Sequence, residues 1–237
     1  MVGREFAGRE GWSPTADIPT PGRIRGNPVL ETGGKAAIHG GAMPPLIYLM
    51  RHGETEWSKS GQHTGRTEVP LTPDGQDSAR ELGERLQRIQ FSAVLCSPRL
   101  RARQTCELAG MGLGMEIEPD LTEWDYGEYE GLRSVEILAG RPDWNVFRNG
   151  CPGGEDPGRV SDRADRVISR LSTLEGNVAV FSHGHFGRAL ATRWIQLPIE
   201  EGRHLLLDPA SVSLLGYEHD RADSPAIVMW NSSIARL

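Results

Sequence analysis

A three-layer α/β/α sandwich with a mostly parallel central sheet is the fold this sequence predicts, and three observations carry the prediction. Short continuous apolar runs recur, Leu46-Ile47-Tyr48-Leu49-Met50 early and Val178-Ala179-Val180-Phe181 late, as in strands buried on both faces. Between them lie stretches whose apolar residues fall at helical spacing. The links are short, and strand–helix alternation with short links is the pattern of parallel strands joined by crossover helices.

The elements follow in order. Residues 1–44 are rich in Gly, Pro, Thr and Arg without a sustained period of 2 or 3.6, and read as a disordered extension ahead of a domain over residues 45–237. Met43 stands directly before Pro44-Pro45 and the first strand, so a native start at Met43 is expected. Thr72 and Pro73 supply an N-cap and first-turn pair, and Ala79, Leu82, Leu86 and Ile89 then mark a helix. Phe91 to Cys96 reads as a second strand, and Ser97-Pro98 as the cap of a helix carrying Leu100, Cys106 and Leu108. Residues 158–174 suit a helix, Val178 to Phe181 a core strand, and Ala189 to Ile195 a helix again. Two β segments near 212–217 and 226–230 complete the sheet.

Composition narrows the function. A formal charge of −6 disfavours wholesale binding to nucleic acid or an anionic membrane. No apolar stretch approaches the roughly 20 residues of a membrane helix, and the N-terminus lacks the basic-then-apolar order of a secretory signal. Cys96, Cys106 and Cys151 form neither a disulfide framework nor a zinc pattern, so a reducing cytoplasm is expected.

Two strand ends look alike. Met50-Arg51-His52-Gly53 follows the first strand and Phe181-Ser182-His183-Gly184 the later one. In parallel sheets the functional crevice lies beyond the carboxyl ends of the strands, so both histidines aim at it, and Gly53 and Gly184 would let the backbone approach a ligand closely. After the second strand, the helix opening at Ser97-Pro98 offers free N–H groups to an anion, and Arg101 on its first turn adds a planar donor fork. Arg99 and Arg103 read as solvated surface arginines.

With these residues in place the sequence resembles the histidine phosphatase superfamily, whose founding members are the phosphoglycerate mutases. The first motif is Leu49-Met50-Arg51-His52-Gly53-Glu54-Thr55-Glu56-Trp57. The second is Ser97-Pro98 with Arg101-Ala102 and Gln104-Thr105. The third runs from Leu121-Thr122-Glu123 through Gly127 to Glu130-Gly131, and the fourth is Ser182-His183-Gly184 with Arg188. The resemblance implies that His52 is a nucleophile attacking phosphorus, with Arg51, Arg101 and His183 around the non-bridging oxygens. It implies Glu123 as the acid that protonates the leaving oxygen and the base for the attacking water. A carboxylate beside phosphate holds its proton more readily, so activity at mildly acid pH is expected. No metal or other cofactor is implied, since arginines can carry the charge stabilisation.

The same resemblance separates two reactions. Mutases carry Asn after Glu-Trp, whereas Ser58 stands here as a shorter phosphate-side donor. The segment from Trp57 to Gly65, with His63 and Thr64 as candidates on the substrate side, resembles a branch of broad-specificity acid phosphatases and sugar-bisphosphatases. Pro152-Gly153-Gly154-Glu155 resembles an element common among the phosphatases, which makes Glu155 a further binding candidate. Only 60 positions separate Glu123 from His183 (183 − 123), too few for the basic insert with which mutases keep water out. The expectation is therefore a phosphatase acting on a small phosphorylated metabolite. A cofactor-dependent phosphoglycerate mutase and a non-catalytic phospho-ligand-binding module are the alternatives. Small members of the family pair, so a homodimer is also expected. His185 is expected to face away or pack. Trp124, Trp144, Trp194 and Trp230 are expected as core or pocket wall.

Overall fold

The computed structural model describes residues 44–232. The start at Met43 and, apart from Pro44, the expected N-terminal extension lie outside them.

Among the described residues, six strands form one sheet in the order β3-β2-β4-β1-β5-β6. They are β1 (Leu46–Arg51), β2 (Ala93–Cys96), β3 (Met115–Ile117), β4 (Asn177–Ser182), β5 (Val212–Tyr217) and β6 (Pro225–Ser232). The first four run parallel, while β5 is antiparallel to β1 and β6 to β5. Period-2 alternation divides the apolar runs between the faces. Ile47, Leu49, Val178 and Val180 enter one core, and Tyr48, Met50, Ala179 and Phe181 the other.

Helices cover both faces. The second core takes Leu82 and Leu86 from α2 (Pro73–Leu86) and Ala102 and Cys106 from α3 (Leu100–Leu108). The first takes Val160, Ala164, Val167 and Leu171 from α6 (Pro157–Leu171), and Phe186 and Leu190 from α7 (Gly184–Trp194). The four α6 residues repeat at helical spacing, and burying each Val or Leu stabilises the fold by about 1.5–3 kcal/mol. Three short helices are α1 (Glu56–Ser60), α4 (Ser134–Gly140) and α5 (Val146–Asn149).

Most expected elements stand within a few residues of their predicted bounds. Thr72 caps α2 by accepting from the Gly75 N–H at 3.0 Å, with Pro73 at N1. Ile89 falls beyond the helix, and β2 begins two residues after Phe91. One reading is corrected. Ser97 is not the cap of α3: that position belongs to Arg99, without a side-chain cap bond, because the Ser97 hydroxyl is engaged with a histidine from the neighbouring strand.

The sheet order places the site. With β2, β4 and β1 adjacent and parallel, their carboxyl ends lie side by side. Arg51 registers with Ser182, and Cys96 with Phe181. His52, His183 and Ser97 therefore emerge at one edge, which backbone bonds hold: the His52 N–H to the Ser182 carbonyl and the Ser97 N–H to the Phe181 carbonyl, both 3.0 Å.

Candidate active site

His52 is 4% exposed. Its Nδ1 lies 2.7 Å from the Gly53 carbonyl oxygen. A carbonyl only accepts, so Nδ1 carries the ring proton and Nε2 keeps its lone pair. Among the described residues, that lone pair meets the Arg101 Nε alone, at 3.3 Å. Burial first, then the Arg101 and Arg51 guanidiniums, hold the His52 imidazole well below the usual histidine range, against a smaller opposing effect of the Gly53 carbonyl. His52 is neutral, oriented and has an available lone pair.

Arg101 is fully buried. Its Nη atoms donate to the carbonyls of Thr64 (2.8 Å), Gly65 (3.2 Å) and Thr67 (3.2 Å). That loop is in turn held by Glu130, whose carboxylate accepts the N–H groups of Gly65 and Thr67. Thr64 thus reaches the site through its backbone. Thr105 ties the two motifs together, accepting the Gly53 N–H at 2.9 Å and donating to the Arg101 carbonyl at 2.7 Å.

Two donors beside His52 have no protein partner among the described residues. His183 is completely buried, with its ring centroid 5.2 Å from that of His52. Its Nε2 meets the Ser97 hydroxyl at 2.7 Å, while its Nδ1 is buried and unpaired. Arg51 donates from Nη1 to the Leu207 carbonyl, and its buried Nε is likewise unpaired. Unsatisfied buried donors cost about 1–3 kcal/mol each. Two of them converging beside one imidazole suit an oxyanion.

Glu123 arrives on an irregular segment, and only 8% of it is exposed. Its Oε1 accepts the N–H groups of Trp124 (2.9 Å) and Phe186 (2.7 Å), and its Oε2 that of His185 (3.0 Å). The carboxylate sits on the first turn of α7, where the free N–H groups of a helix start favour an anion. Oε2 retains a lone pair.

His52, Arg51 and Glu123 line a cavity of about 230 Å³, together with Ser58, His63, Thr64 and Gly184 among the expected residues. Ser58 spends its hydroxyl on the capping box of α1, accepting the Thr55 N–H at 2.8 Å and donating to the Thr55 carbonyl at 3.0 Å. His63 stacks on Tyr126 at 4.7 Å, and burial lowers its pKa to about 4.

Both glycines also answer to the protein packed around them. A Cβ on Gly53 would come within 2.5 Å of the Gly75 carbonyl oxygen, so the start of α2 packs there only because Gly53 has none. A Cβ on Gly184 would lie 3.3 Å from the Arg51 guanidinium carbon.

Glu155 does not line this cavity. It accepts from Arg163 through both oxygens, at 3.0 and 2.9 Å, and from the Asp125 N–H at 2.9 Å. Arg163, which sequence reasoning passed over, also donates to the carbonyls of Asp120 (2.7 Å), Thr122 (2.6 Å) and Glu123 (3.4 Å). Together they clamp the chain on both sides of Glu123. The expectation that His185 would face away or pack is met only in its second half: it packs on Phe147, ring centroids 5.5 Å apart, but does not face away. It lines the cavity, with its Nδ1 at 2.6 Å from the Tyr126 hydroxyl, because it occupies the second turn position of α7 and shares its face with Arg188. Tyr126 was missed too; its place in the third motif, three residues after Glu123, was the available signal.

A profile of the histidine phosphatase superfamily (branch 1) matches residues 47–233. An acid phosphatase of Mycobacterium tuberculosis is 45% identical over 177 residues, which are 73% of this chain and 87% of that protein. A sedoheptulose 1,7-bisphosphatase of Saccharomyces cerevisiae is 34% identical, with 78% of this chain and 92% of that protein covered. Among solved structures, an open-reading-frame product of Mycobacterium tuberculosis superposes with a TM-score of 0.74 at 40% identity, covering 79% of this chain and 97% of that one.

Proposed function

The chain belongs to the histidine phosphatase superfamily and is a phosphatase, and on that premise we propose that it hydrolyses small phosphomonoesters through a phosphohistidine on His52, without a metal. One observation carries the reading: a neutral imidazole with its Nδ1 proton fixed on the Gly53 carbonyl, and two unpaired buried donors, Arg51 Nε and His183 Nδ1, beside it.

In the first step His52 Nε2 forms a bond to phosphorus as the ester P–O bond breaks, and Glu123 gives its proton to the departing oxygen. In the second, a water oxygen bonds to phosphorus and its proton returns to Glu123. The N–P bond breaks, releasing inorganic phosphate. Arg51, Arg101 and His183 stabilise the charge on the three equatorial oxygens, and these fixed dipoles and cations need no reorganisation during transfer. A His52 imidazole held well below the usual range stays neutral in mild acid. That supports an acid phosphatase, in keeping with the relative of that name.

The test is phosphate release from p-nitrophenyl phosphate and from 3-phosphoglycerate in EDTA, with wild type and His52→Ala. EDTA-resistant release that disappears in the variant is expected. Isomerisation of 3-phosphoglycerate, stimulated by the 2,3-bisphosphate and with little hydrolysis, would make it a mutase. Phosphate affinity with no turnover at all would make it a binding module.

A further inference from the structure

The direction of the Arg51 guanidinium is set by a loop. Its Nη1 donates to the Leu207 carbonyl, which leaves the buried Nε unpaired among the described residues. The same loop, residues 205–211 ahead of β5, holds the His52 carbonyl through the Ala210 N–H at 3.1 Å, and its Ser211 carbonyl accepts the Arg51 N–H at 3.2 Å. It therefore touches both residues of the first motif that are proposed to meet the phosphoryl group. Yet residues 205–211 form no helix or strand. Ala210 adopts a φ of 53°, in the left-handed region that an L side chain rarely enters. A backbone in that conformation persists where its surroundings fix it.

The surroundings that do so lie on β6. Trp230 Nε1 donates to the Leu206 carbonyl at 2.6 Å. Asn231 grips Asp208 twice: its Oδ1 accepts the Asp208 N–H at 2.7 Å, and its Nδ2 donates to the Asp208 carboxylate at 3.1 Å. Burial lowers the Arg51 pKa, and nearby acids oppose that shift, Glu123 first and Asp208 among them, so the gripped carboxylate also supports the Arg51 charge.

Two consecutive residues of a regular strand point to opposite faces, whereas Trp230 and Asn231 hold one loop. The ladder explains how. Val212 pairs with Ser232 and Leu214 with Met229, so β6 has one residue more than β5 between the pairs, a bulge. Bulges re-aim side chains. Asn231 takes a φ of 53° there, which asparagine tolerates better than most residues, and its N–H donates to the Ser213 hydroxyl at 2.9 Å.

We propose that Asn231, with Trp230, is a positioning residue for the reaction: from the bulge of an edge strand it sets the 205–211 loop, and through the Leu207 carbonyl it aims Arg51 at the phosphate. Neither side chain borders the cavity, so both act through the loop. The inference rests on the role proposed for Arg51.

Asn231→Gly is the test, because glycine accepts a φ of 53° and the change removes the side chain's bonds alone. A double-mutant cycle with Arg51→Met reads whether the two residues act together. The kcat/KM for p-nitrophenyl phosphate is expected to fall about tenfold in Asn231→Gly, with Tm within about 3 °C of wild type. In Arg51→Met the same change is expected to cost less than about twofold. Trp230→Phe, which removes the indole N–H and keeps a ring, should cost about two- to fivefold. Dissociation constants of inorganic phosphate for the four proteins of the cycle supply the readout without turnover. A loss from Asn231→Gly that is as large in Arg51→Met as in wild type, or no loss in wild type, would overturn the inference. So would a lowered Tm with unchanged kcat/KM of the folded protein, the mark of a structural role alone. Phosphate affinity unmoved by Arg51→Met would refute the role of Arg51 itself. Hydrolysis that survives in His52→Ala would sink the phosphohistidine reading and leave the phosphate cycle standing.

Discussion

Arg163→Met should both destabilise the protein and slow it, although Arg163 lies outside the cavity that holds His52. The guanidinium makes five hydrogen bonds: two to the Glu155 carboxylate and three to the carbonyls of Asp120, Thr122 and Glu123. Methionine fills much of the same volume over Phe186, on which Arg163 stacks at 4.3 Å, and provides none of these bonds. Breaking a buried ion pair from one side costs about 3–5 kcal/mol. Glu155 keeps the Asp125 N–H and its side chain is 18% exposed. Asp120 and Thr122 border a water-accessible cleft or lie half-buried, so their carbonyls rehydrate. The lower end applies, about 3 kcal/mol, which for a chain of this size lowers Tm by about 6–12 °C. Loosening the segment displaces the Glu123 carboxylate, and a misplacement of about 1 Å can cost about 100-fold in rate. A fall in kcat of about tenfold or more, with KM little changed, is expected because the role proposed for Glu123 is in the transition state. Thermal melts and steady-state hydrolysis of an aryl phosphate measure both effects. Adding Glu155→Gln to the variant should recover about 1–2 kcal/mol, since no carboxylate is then left unpaired. An Arg163→Met protein that melts within about 2 °C of wild type and keeps its kcat would refute the clamp.

His63 ties stability to pH. Its folded pKa of about 4 lies below the ordinary 6.5, so the unfolded chain binds the proton more readily. Its contribution is intact above about pH 6.5 and declines as pH falls toward 4. About 2 kcal/mol is gone by about pH 5. Urea unfolding at these pH values should show a shallower acid loss in His63→Gln by that amount, and parallel curves for the two proteins would reject the assignment. Ser97→Ala removes the partner that fixes the His183 ring, and should lower kcat by about 10- to 100-fold while phosphate inhibition weakens less. Unaltered kinetics in Ser97→Ala would mean that His183 is positioned without it.

What was legible in the sequence follows from which forces are local. The runs Leu46 to Met50 and Val178 to Phe181 are strands because a sheet covered on both faces buries Ile47 to Met50 and Val178 to Phe181 without a break. Once those strands are parallel neighbours, His52 and His183 must emerge together. Thr72-Pro73 marks the start of α2 through capping chemistry that needs no tertiary partner. Ser97 was misread because its hydroxyl has two uses, and the contact with His183 comes from a residue 86 positions away. Glu155 carries the chemistry of a ligand contact but finds Arg163 first. His185 was expected to face away or pack, and it does pack, on Tyr126 and Phe147, yet it also borders the cavity with Arg188. The chain turns helical at Gly184, and the period changes from 2 to 3.6 at that point. The 118–133 segment that carries Glu123 and Tyr126 has short 3₁₀ turns and no long period, so its path depends on Arg163 and Glu130.

The central claim is tested most directly by trapping the covalent intermediate: rapid quench of the enzyme with an aryl phosphate at about pH 5, where an unperturbed histidine is mostly protonated, followed by peptide mass spectrometry under alkaline conditions that preserve phosphohistidine. The account predicts one phosphoryl group on the peptide containing His52, on Nε2, absent in His52→Ala and accumulating in Glu123→Gln with a poor attacking water. Phosphate trapped on another residue, or hydrolysis that proceeds at the wild-type rate in His52→Ala with no adduct at all, would contradict it.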